Sequence, residues 1–442
     1  SKTGPTAMGD EDPGVSADHT VRSFDLGPGS ELRIEAAADG FAYFKLISGT
    51  AELFGTELTV DRQHSITDVS VGVYSWHGAK IDVWGHTQVV YMTKETPMTE
   101  YVNLHAQIEL EREARRGAGP RVMVCGGSDS GKSTLSRILL SYAVRAGRQP
   151  VFVDLDVGHN DIGVPGTLAA SSVLHPFDID FGLRARVPLV MFYGHLSPAE
   201  NTDHYLACVS QLSAAVQRRL SCHEQEREAG LIVNTCGWVD GAGYSLLLSV
   251  VAAMEITHLV VIGQDRLHAQ LQQESALSNV IVSKVAKSGG VVQRGVALRR
   301  RHMQLRFKQY FYGPATDLCP HITFLRFNEV GIFQVGGLAQ APSTMLPIGG
   351  ERHLESNQVV PVVPTSDFVH SVLAVSQATC PEELLKAPIA GLVFVTAIDT
   401  IKHTMSLLAP CSGPLPANCL LFGSLKWSEG TAFSVAKKSL IY

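Results

Sequence analysis

The residues best able to do chemistry in this chain lie in one short run, Gly126-Gly127-Ser128-Asp129-Ser130-Gly131-Lys132-Ser133-Thr134. Glycine at each end lets the backbone wrap closely around an anion. The amides between them, with the N-terminus of a following helix, present positive partial charge. Lys132 adds a full positive charge and Ser133 a hydroxyl suited to a hard cation. The run fits G-x-x-x-x-G-K-[ST], the phosphate cradle of nucleotide-binding proteins. Gly127 through Thr134 are therefore read as binding ATP, with Lys132 on the β- and γ-phosphates and Ser133 on Mg²⁺. A glycine-rich turn can match by chance, but this one follows an apolar stretch and opens a helix former run, as the mechanism requires.

A second chemical group follows in Val151-Phe152-Val153-Asp154-Leu155-Asp156-Val157-Gly158. In an extended chain, residues two apart share a face, so Asp154 and Asp156 are expected to point together toward the site. One carboxylate, Asp154, suits Mg²⁺, and the other suits the proton of an attacking hydroxyl. The bland reading is that one of them only caps a loop.

These residues need elements to position them. Strands are expected at Arg121–Cys125, Val151–Leu155, Pro188–Tyr193, Leu231–Asn234 and His258–Gly263, alternating with helices at Lys132–Gly147, Glu200–Leu220 and Ser245–Met254. That rhythm predicts an α/β domain over residues 119–315 with a parallel sheet. Residues 21–98 read instead as short alternating runs split by Gly and Asp turns, a β-sandwich. Residues 99–118 are good helix formers closing on Gly117, a linking helix. Residues 316–442 return to strand texture, as in Ile322–Phe327, Gly391–Ala397 and Leu420–Gly423, a mostly-β C-terminal domain. Residues 1–20 carry little apolar material and are expected to be disordered.

Composition sets wider limits. A chain of 442 residues exceeds one ordinary core, and 18% charged residues with 45% hydrophobic ones suit a folded protein. The net charge of −6 means that nucleic acid would have to be met by a local basic surface. Eight scattered cysteines without a Cys-x-x-Cys pair point to free thiols in a reducing compartment. No apolar run is long enough to span a bilayer, so no membrane association is expected. The strand Leu231–Asn234 leads into Thr235-Cys236-Gly237-Trp238 and lacks the Asn-Lys-x-Asp motif that a GTPase would carry.

A local basic surface exists. Between Lys284 and Lys308 lie eight Lys or Arg and no acidic residue. Arginines entering the site from a hinged lid could offset charge on a moving phosphoryl group, while their neighbours attract an RNA backbone. Arg294 with Arg299 or Arg300 are the candidates. The competing reading is a solvated helix face.

Several strings together resemble the polynucleotide 5′-hydroxyl kinases of the pre-mRNA cleavage factor II and tRNA-splicing type. They are Phe54-Gly55-Thr56-Glu57-Leu58, Trp76-His77-Gly78, the phosphate loop and Val153 to Gly158. Pro165-Gly166-Thr167, Asn234 to Trp238 and Lys287-Ser288-Gly289-Gly290-Val291-Val292 complete the set. The resemblance runs from about residue 22 to the C-terminus. It implies a RecA-like kinase core between two small β domains. It implies Asp156 as general base for an RNA 5′-hydroxyl, and Ser197 and Asn201 in a loop that clasps lysine and phosphates. Trp238 becomes a platform for the terminal base and Glu31 part of an adenine pocket. Bland readings remain beside these: Trp238 as core, Asn201 as a helix cap, Ser197 as a turn residue. His159 stands where that family usually has glutamine, and Ser70 where a lysine is expected.

The resemblance thus implies an ATP- and Mg²⁺-dependent kinase acting on RNA with a 5′-hydroxyl end. The alternative is a catalytically silent, ATP-bound scaffold subunit of the pre-mRNA 3′-end cleavage machinery. A small-metabolite kinase fits less well with a basic lid. The resemblance also implies a cleavage-factor scaffold subunit and the tRNA-splicing endonuclease as partners, and the nucleus as location.

Overall fold

The computed structural model describes residues 20–428 apart from 39, 115–116, 186, 315 and 336–358. The tail expected over residues 1–20 lies outside the described residues but for Thr20. The chain divides into two units, residues 1–53 with 57–95, and residues 54–56 with 96–442.

The smaller unit is built on period-two burial. Along Ala42–Gly49 the side chains of Ala42, Phe44 and Leu46 are buried, and those between them are half-buried. This strand pairs with Ala79–Gly85 and Gln63–Ile66, and Arg22–Leu26 pairs with Ala79–Gly85, all antiparallel. A second sheet sets Ser30–Ala36 between Ser70–Ser75 and Thr87–Thr93. There Leu32 and Ile34 are fully buried, while Glu31 and Arg33, on the opposite face, are buried as an ion pair.

In the larger unit a seven-stranded sheet runs Leu189–Phe192, Thr167–Ser172, Val151–Asp154, Leu231–Asn234, Arg121–Cys125, His258–Ile262, Ile281–Val285. The last five run parallel to one another. Thr167–Ser172 is antiparallel to both of its neighbours, so the expected parallel sheet is a mixed one. The chain between Val151–Asp154 and Thr167–Ser172 forms no helix and packs back beside the strand it left, which makes the next strand antiparallel. Met123 and Cys125 join Val153, Val233 and Val261 in a core closed by Leu212 and Val216 of helix Thr202–Cys222 and Leu246 and Val250 of helix Ala242–Ala253. Helix Met98–Ala114 belongs to this larger unit.

A second seven-stranded sheet follows, in the order His321–Arg326, Thr404–Ala409, Ile389–Asp399, Val372–Ser376, Cys419–Phe422, Gly331–Val335, Val359–Pro361. Its pairings are antiparallel apart from Gly331–Val335 with Cys419–Phe422. One face packs Phe394, Leu392 and Trp427 against Phe307 and Phe311 of helix Val296–Tyr312. Trp427 stacks on Phe311 with ring centroids 5.2 Å apart. Each such aromatic contributes about 2–3 kcal/mol by burial, which fixes the rear of that helix. Among the described residues no helix is long and apolar enough to cross a membrane.

Candidate functional site

The site begins where strand Arg121–Cys125 ends. Gly126 (φ 148°) turns the chain out of the sheet, and Gly131 (φ 97°) starts helix Lys132–Arg145 in a left-handed conformation natural only to glycine. Asp129 adopts φ 50°, a region Asp tolerates better than most residues. The loop is held from two sides. The Gly127 amide donates to Gln264 Oε1 at 3.2 Å. Gly237 lies so close that a Cβ there would fall 2.5 Å from the Ser128 amide nitrogen. The Ser130 hydroxyl is buried without a hydrogen-bond partner among the described residues. A glycine-lined cradle with an unsatisfied hydroxyl suits the oxygens of a phosphate chain.

Lys132 is buried, and its Nζ donates to the Gly127 carbonyl at 2.7 Å. Burial lowers its pKa, opposed chiefly by the negative charge of Asp156. Ser133 and Thr134 follow in the first helical turn, both half-buried.

The two carboxylates part company. The strand ends at Asp154, one residue earlier than expected, and Asp154 is completely buried. Its Oδ1 accepts from the Asp156 amide at 3.1 Å and from Asn234 Nδ2 at 2.9 Å, and its Oδ2 from the Asp161 amide at 2.7 Å. Burial and the neighbouring Asp161 and Asp156 carboxylates push its pKa well up. Asp154 thus folds the loop that follows, and the strand geometry expected to align it with Asp156 stops between them. Asp156 is half-buried in that loop, its Oδ1 accepting from the Gly158 amide at 2.9 Å and the His159 amide at 3.3 Å. Burial lowers the His159 pKa, and Arg294, His302 and Arg299 lower it further against Asp156, which favours the neutral ring.

Asn234 is a site residue that the motif analysis passed over. It ends the strand beside Asp154, in register with it. It touches both Asp154 and, at 3.4 Å, the Ser133 hydroxyl, and its Oδ1 is buried without a partner among the described residues. The register of two parallel strand ends could have shown it. A hydroxyl, an amide oxygen and a carboxylate behind them form a hard-oxygen set that suits Mg²⁺ held mainly by phosphates and water.

The lid candidates divide. Asp129 receives the Arg294 amide at 3.0 Å, Arg294 Nε at 2.9 Å and an Arg299 Nη2 at 2.6 Å. Burial raises the Asp129 pKa, but the hydrogen bonds and charge of Arg294, with the charge of Arg299, hold it below the usual value. Arg300, the next residue along the helix, is exposed. Arg306 lies farther along the helix and donates to the Asn160, Asp161 and Gly163 carbonyls at 3.1–3.3 Å. Lys308 is buried, and Lys284 pairs with Asp265.

The loop around Ser197 is braced by Tyr193, which is fully buried. The Tyr193 hydroxyl donates to the Ser197 carbonyl at 2.9 Å and accepts from the Asn201 amide at 3.1 Å. Asn201 Oδ1 caps helix Thr202–Cys222 through the His204 amide at 3.0 Å, and Ser197 Oγ accepts from the Ala199 amide at 3.3 Å. Trp238 is half-buried, packed on one side against the main core over the start of helix Ala242–Ala253. Glu31 belongs to the smaller unit, where its Oε1 accepts from Arg33 Nε at 3.2 Å.

Comparison with known proteins agrees along the length. Residues 126–313 match the family model described as mRNA cleavage and polyadenylation factor CLP1 P-loop. Residues 318–429 match that of pre-mRNA cleavage complex II protein Clp1, and residues 25–115 the N-terminal beta-sandwich domain of polyadenylation factor. The chain is 37% identical over 411 residues to the human polyribonucleotide 5′-hydroxyl-kinase Clp1, covering 92% of this chain and 96% of that one. It is 37% identical over 437 residues to the Arabidopsis thaliana protein CLP1 homolog, covering 96% and 98%. Among solved structures, wild-type Clp1p in complex with Pcf11p shares the fold with a TM-score of 0.81 at 24% identity, over 93% of this chain and 99% of that one.

Proposed function

The chain belongs to the Clp1 family, and from that premise we propose that it transfers the γ-phosphoryl group of ATP to the 5′-hydroxyl end of RNA. The observation that carries this reading is the convergence of Lys132, Asp156 and the two arginines Arg294 and Arg299 on one phosphate loop. Human and chicken relatives similar to this chain over nine-tenths of its length are polyribonucleotide 5′-hydroxyl kinases.

The loop amides and Lys132 bind the phosphate chain and offset its charge. Lys132 leaves the Gly127 carbonyl to do so. The Asp156 carboxylate, half-exposed and fixed by the Gly158 and His159 amides, takes the proton of the attacking hydroxyl. Mg²⁺, when bound, supplies positive charge to the β- and γ-phosphate oxygens; Ser133 would hold it, with Asn234 and Asp154 behind. The open face of Trp238 offers a stacking surface for the terminal base. The loop from Ser197 to Asn201 bounds the site as a rigid wall, braced by Tyr193. Glu31 is assigned to the adenine end on family resemblance.

A silent ATP-holding scaffold is the second reading. On its side stands the engagement of both lid arginines by Asp129, which draws on the charge a moving phosphoryl group would need. One experiment separates the two. A 5′-hydroxyl oligoribonucleotide is incubated with γ-labelled ATP, with Lys132→Ala as control. Label at the RNA 5′ end that the variant abolishes supports the kinase. ATP retained intact with no labelled RNA defeats it.

The solved relative is bound to Pcf11p. For this chain a cleavage-factor scaffold subunit is proposed as partner on that likeness, and the tRNA-splicing endonuclease and nuclear residence on family resemblance. Co-purification from nuclear extract, with each candidate detected by antibody, tests these assignments.

A further inference from the structure

Asp129 is an unexpected residue for its place. It stands at a variable position of a loop whose amides and lysine gather anions, and a fixed carboxylate there repels the phosphates the loop is built to hold. Solvent does not relieve this, because the side chain is 6% exposed. The backbone is also held at positive φ to place it. Such a charge persists in a folded site when something nearby makes use of it.

What lies nearby is the lid. All three polar contacts between the loop and residues 294–299 run to Asp129: the Arg294 amide, Arg294 Nε and Arg299 Nη2. Arg299 Nε in turn donates to the Arg294 carbonyl at 2.9 Å, so the two guanidiniums form one linked unit. Each arginine is roughly a third exposed, and each gives Asp129 one guanidinium N–H of the five it carries. The group is two cations on one anion, with positive charge and guanidinium donors left over.

We propose that Asp129 is the positioning residue of the lid: its carboxylate docks Arg294 and Arg299 onto the phosphate loop, so that both guanidiniums wait where the transferred phosphoryl group develops charge. This rests on the kinase reading above and adds to it a residue that acts through the arginines and not on the substrate. The carboxylate weakens the hold on ATP by repulsion and gains transfer by placing two cations in advance. Asp129 therefore separates affinity from turnover.

That separation is the test, made on the full chain with Asp129→Asn, which keeps shape and removes charge. ATP affinity is measured at equilibrium by calorimetry, turnover with a 5′-hydroxyl oligoribonucleotide, and lid order by amide hydrogen exchange of residues 288–299. The expected result is ATP binding unchanged or up to about 10-fold tighter. Turnover falls about 100-fold, and exchange across the lid becomes faster. Loss of affinity and turnover in parallel would mean a plain structural residue and overturn the proposal, as would turnover within about twofold of the wild type.

A second arm tests whether the loss runs through the arginines. In an Arg294→Gln, Arg299→Gln background, adding Asp129→Asn should cost little more turnover, because both guanidiniums it positions are already gone. Full additivity of the two losses rejects the idea. A wild type that labels no RNA defeats the kinase reading instead, and the docking of the lid then stands or falls on the exchange measurement alone.

Discussion

The basic stretch from Arg294 to Lys308 is uniform in charge and divided in use. Its front half, Arg294 and Arg299, is partly exposed and fastened by charge to the phosphate loop. Its rear half is fastened by burial. Arg306 is spread over three backbone carbonyls of the Asn160–Gly163 loop, and Phe307 and Phe311 are sealed into the C-terminal core beside Trp427. A charged pair at a wet surface contributes little and can be exchanged for another partner, whereas buried aromatics and a desolvated guanidinium cannot let go without large cost. One helix therefore has an anchored end and a releasable end, which is the mechanical requirement for a lid.

The comparison breaks most visibly at Arg299. Arg299→Ala should reduce RNA 5′ phosphorylation on the order of 10³-fold, equivalent to about 4 kcal/mol of transition-state stabilisation. The unfolding free energy should change by less than about 1 kcal/mol, since Arg299 is itself about a third exposed and Arg294 still holds Asp129. Single-turnover labelling and urea unfolding on the same preparation check both. A stability loss equal to the catalytic loss would erase the distinction between the two halves.

Arg306→Ala should do the reverse, destabilising by about 3 kcal/mol because three carbonyls and a buried charge network lose their donor. Arg306→Lys should not restore it, since one guanidinium nitrogen serves the three carbonyls while the other reaches Gln309, and a single ammonium nitrogen cannot do both. Rescue by lysine, read from the unfolding midpoint, would show that only the charge matters.

The division was only half visible in the sequence, and the reason is distance along the chain. The phosphate loop is legible because its chemistry is local: two glycines and a lysine fix the turn, and helix Lys132–Arg145 begins where the motif says. By contrast, Asp129 meets Arg294 across 165 positions and Arg306 meets Asn160 across 146, so nothing in the charge run separates Arg306 from its neighbours. Strand Thr167–Ser172 reads as small residues, Thr-Leu-Ala-Ala-Ser-Ser, without alternation. Its pairing with Val151–Asp154, not its own propensity, makes it a strand. Strand Ile281–Val285 was likewise hidden, because Lys284 placed it inside the basic stretch. The spacing of Asp154 to Asp156 shows two carboxylates near one strand end, while the amides that enclose Asp154 are set by the following loop, which spacing does not describe.

The anchored half extends to Asp161, whose carboxylate takes Arg137 Nε at 2.9 Å and Nη2 at 2.7 Å. Burial alone raises the Asp161 pKa, but the Arg137 charge and hydrogen bond, with Arg306 and His159 beyond it, hold it below its usual value. A carboxylate with a depressed folded pKa contributes stability that is present above its unfolded value of about 3.9 and is lost as pH falls through the folded one. Asp161→Asn should therefore be less stable by about 2 kcal/mol at neutral pH. The gap to the wild type should close as pH drops from about 5 toward 2. A gap that stays constant over that window, in unfolding midpoints against pH, would place the stabilisation elsewhere.

The smallest effect sharpens the comparison from outside both halves. Arg300 neighbours Arg299 in sequence, yet it is exposed while Arg299 is held on Asp129. One residue along a helix turns the side chain by about 100°, so adjacent arginines cannot share a target. If Arg300 acts, it acts as a point of positive potential for the RNA backbone. Arg300→Ala should leave unfolding within about 0.5 kcal/mol of the wild type. It should leave turnover at saturating RNA nearly intact, weaken RNA binding a few-fold, and flatten the salt dependence of that binding by about one unit of log–log slope. A loss of turnover at saturating RNA comparable with that of Arg299→Ala would move Arg300 into the transfer site. The Asp129 clasp would then be only one of several poses through which the front of the helix delivers its charge.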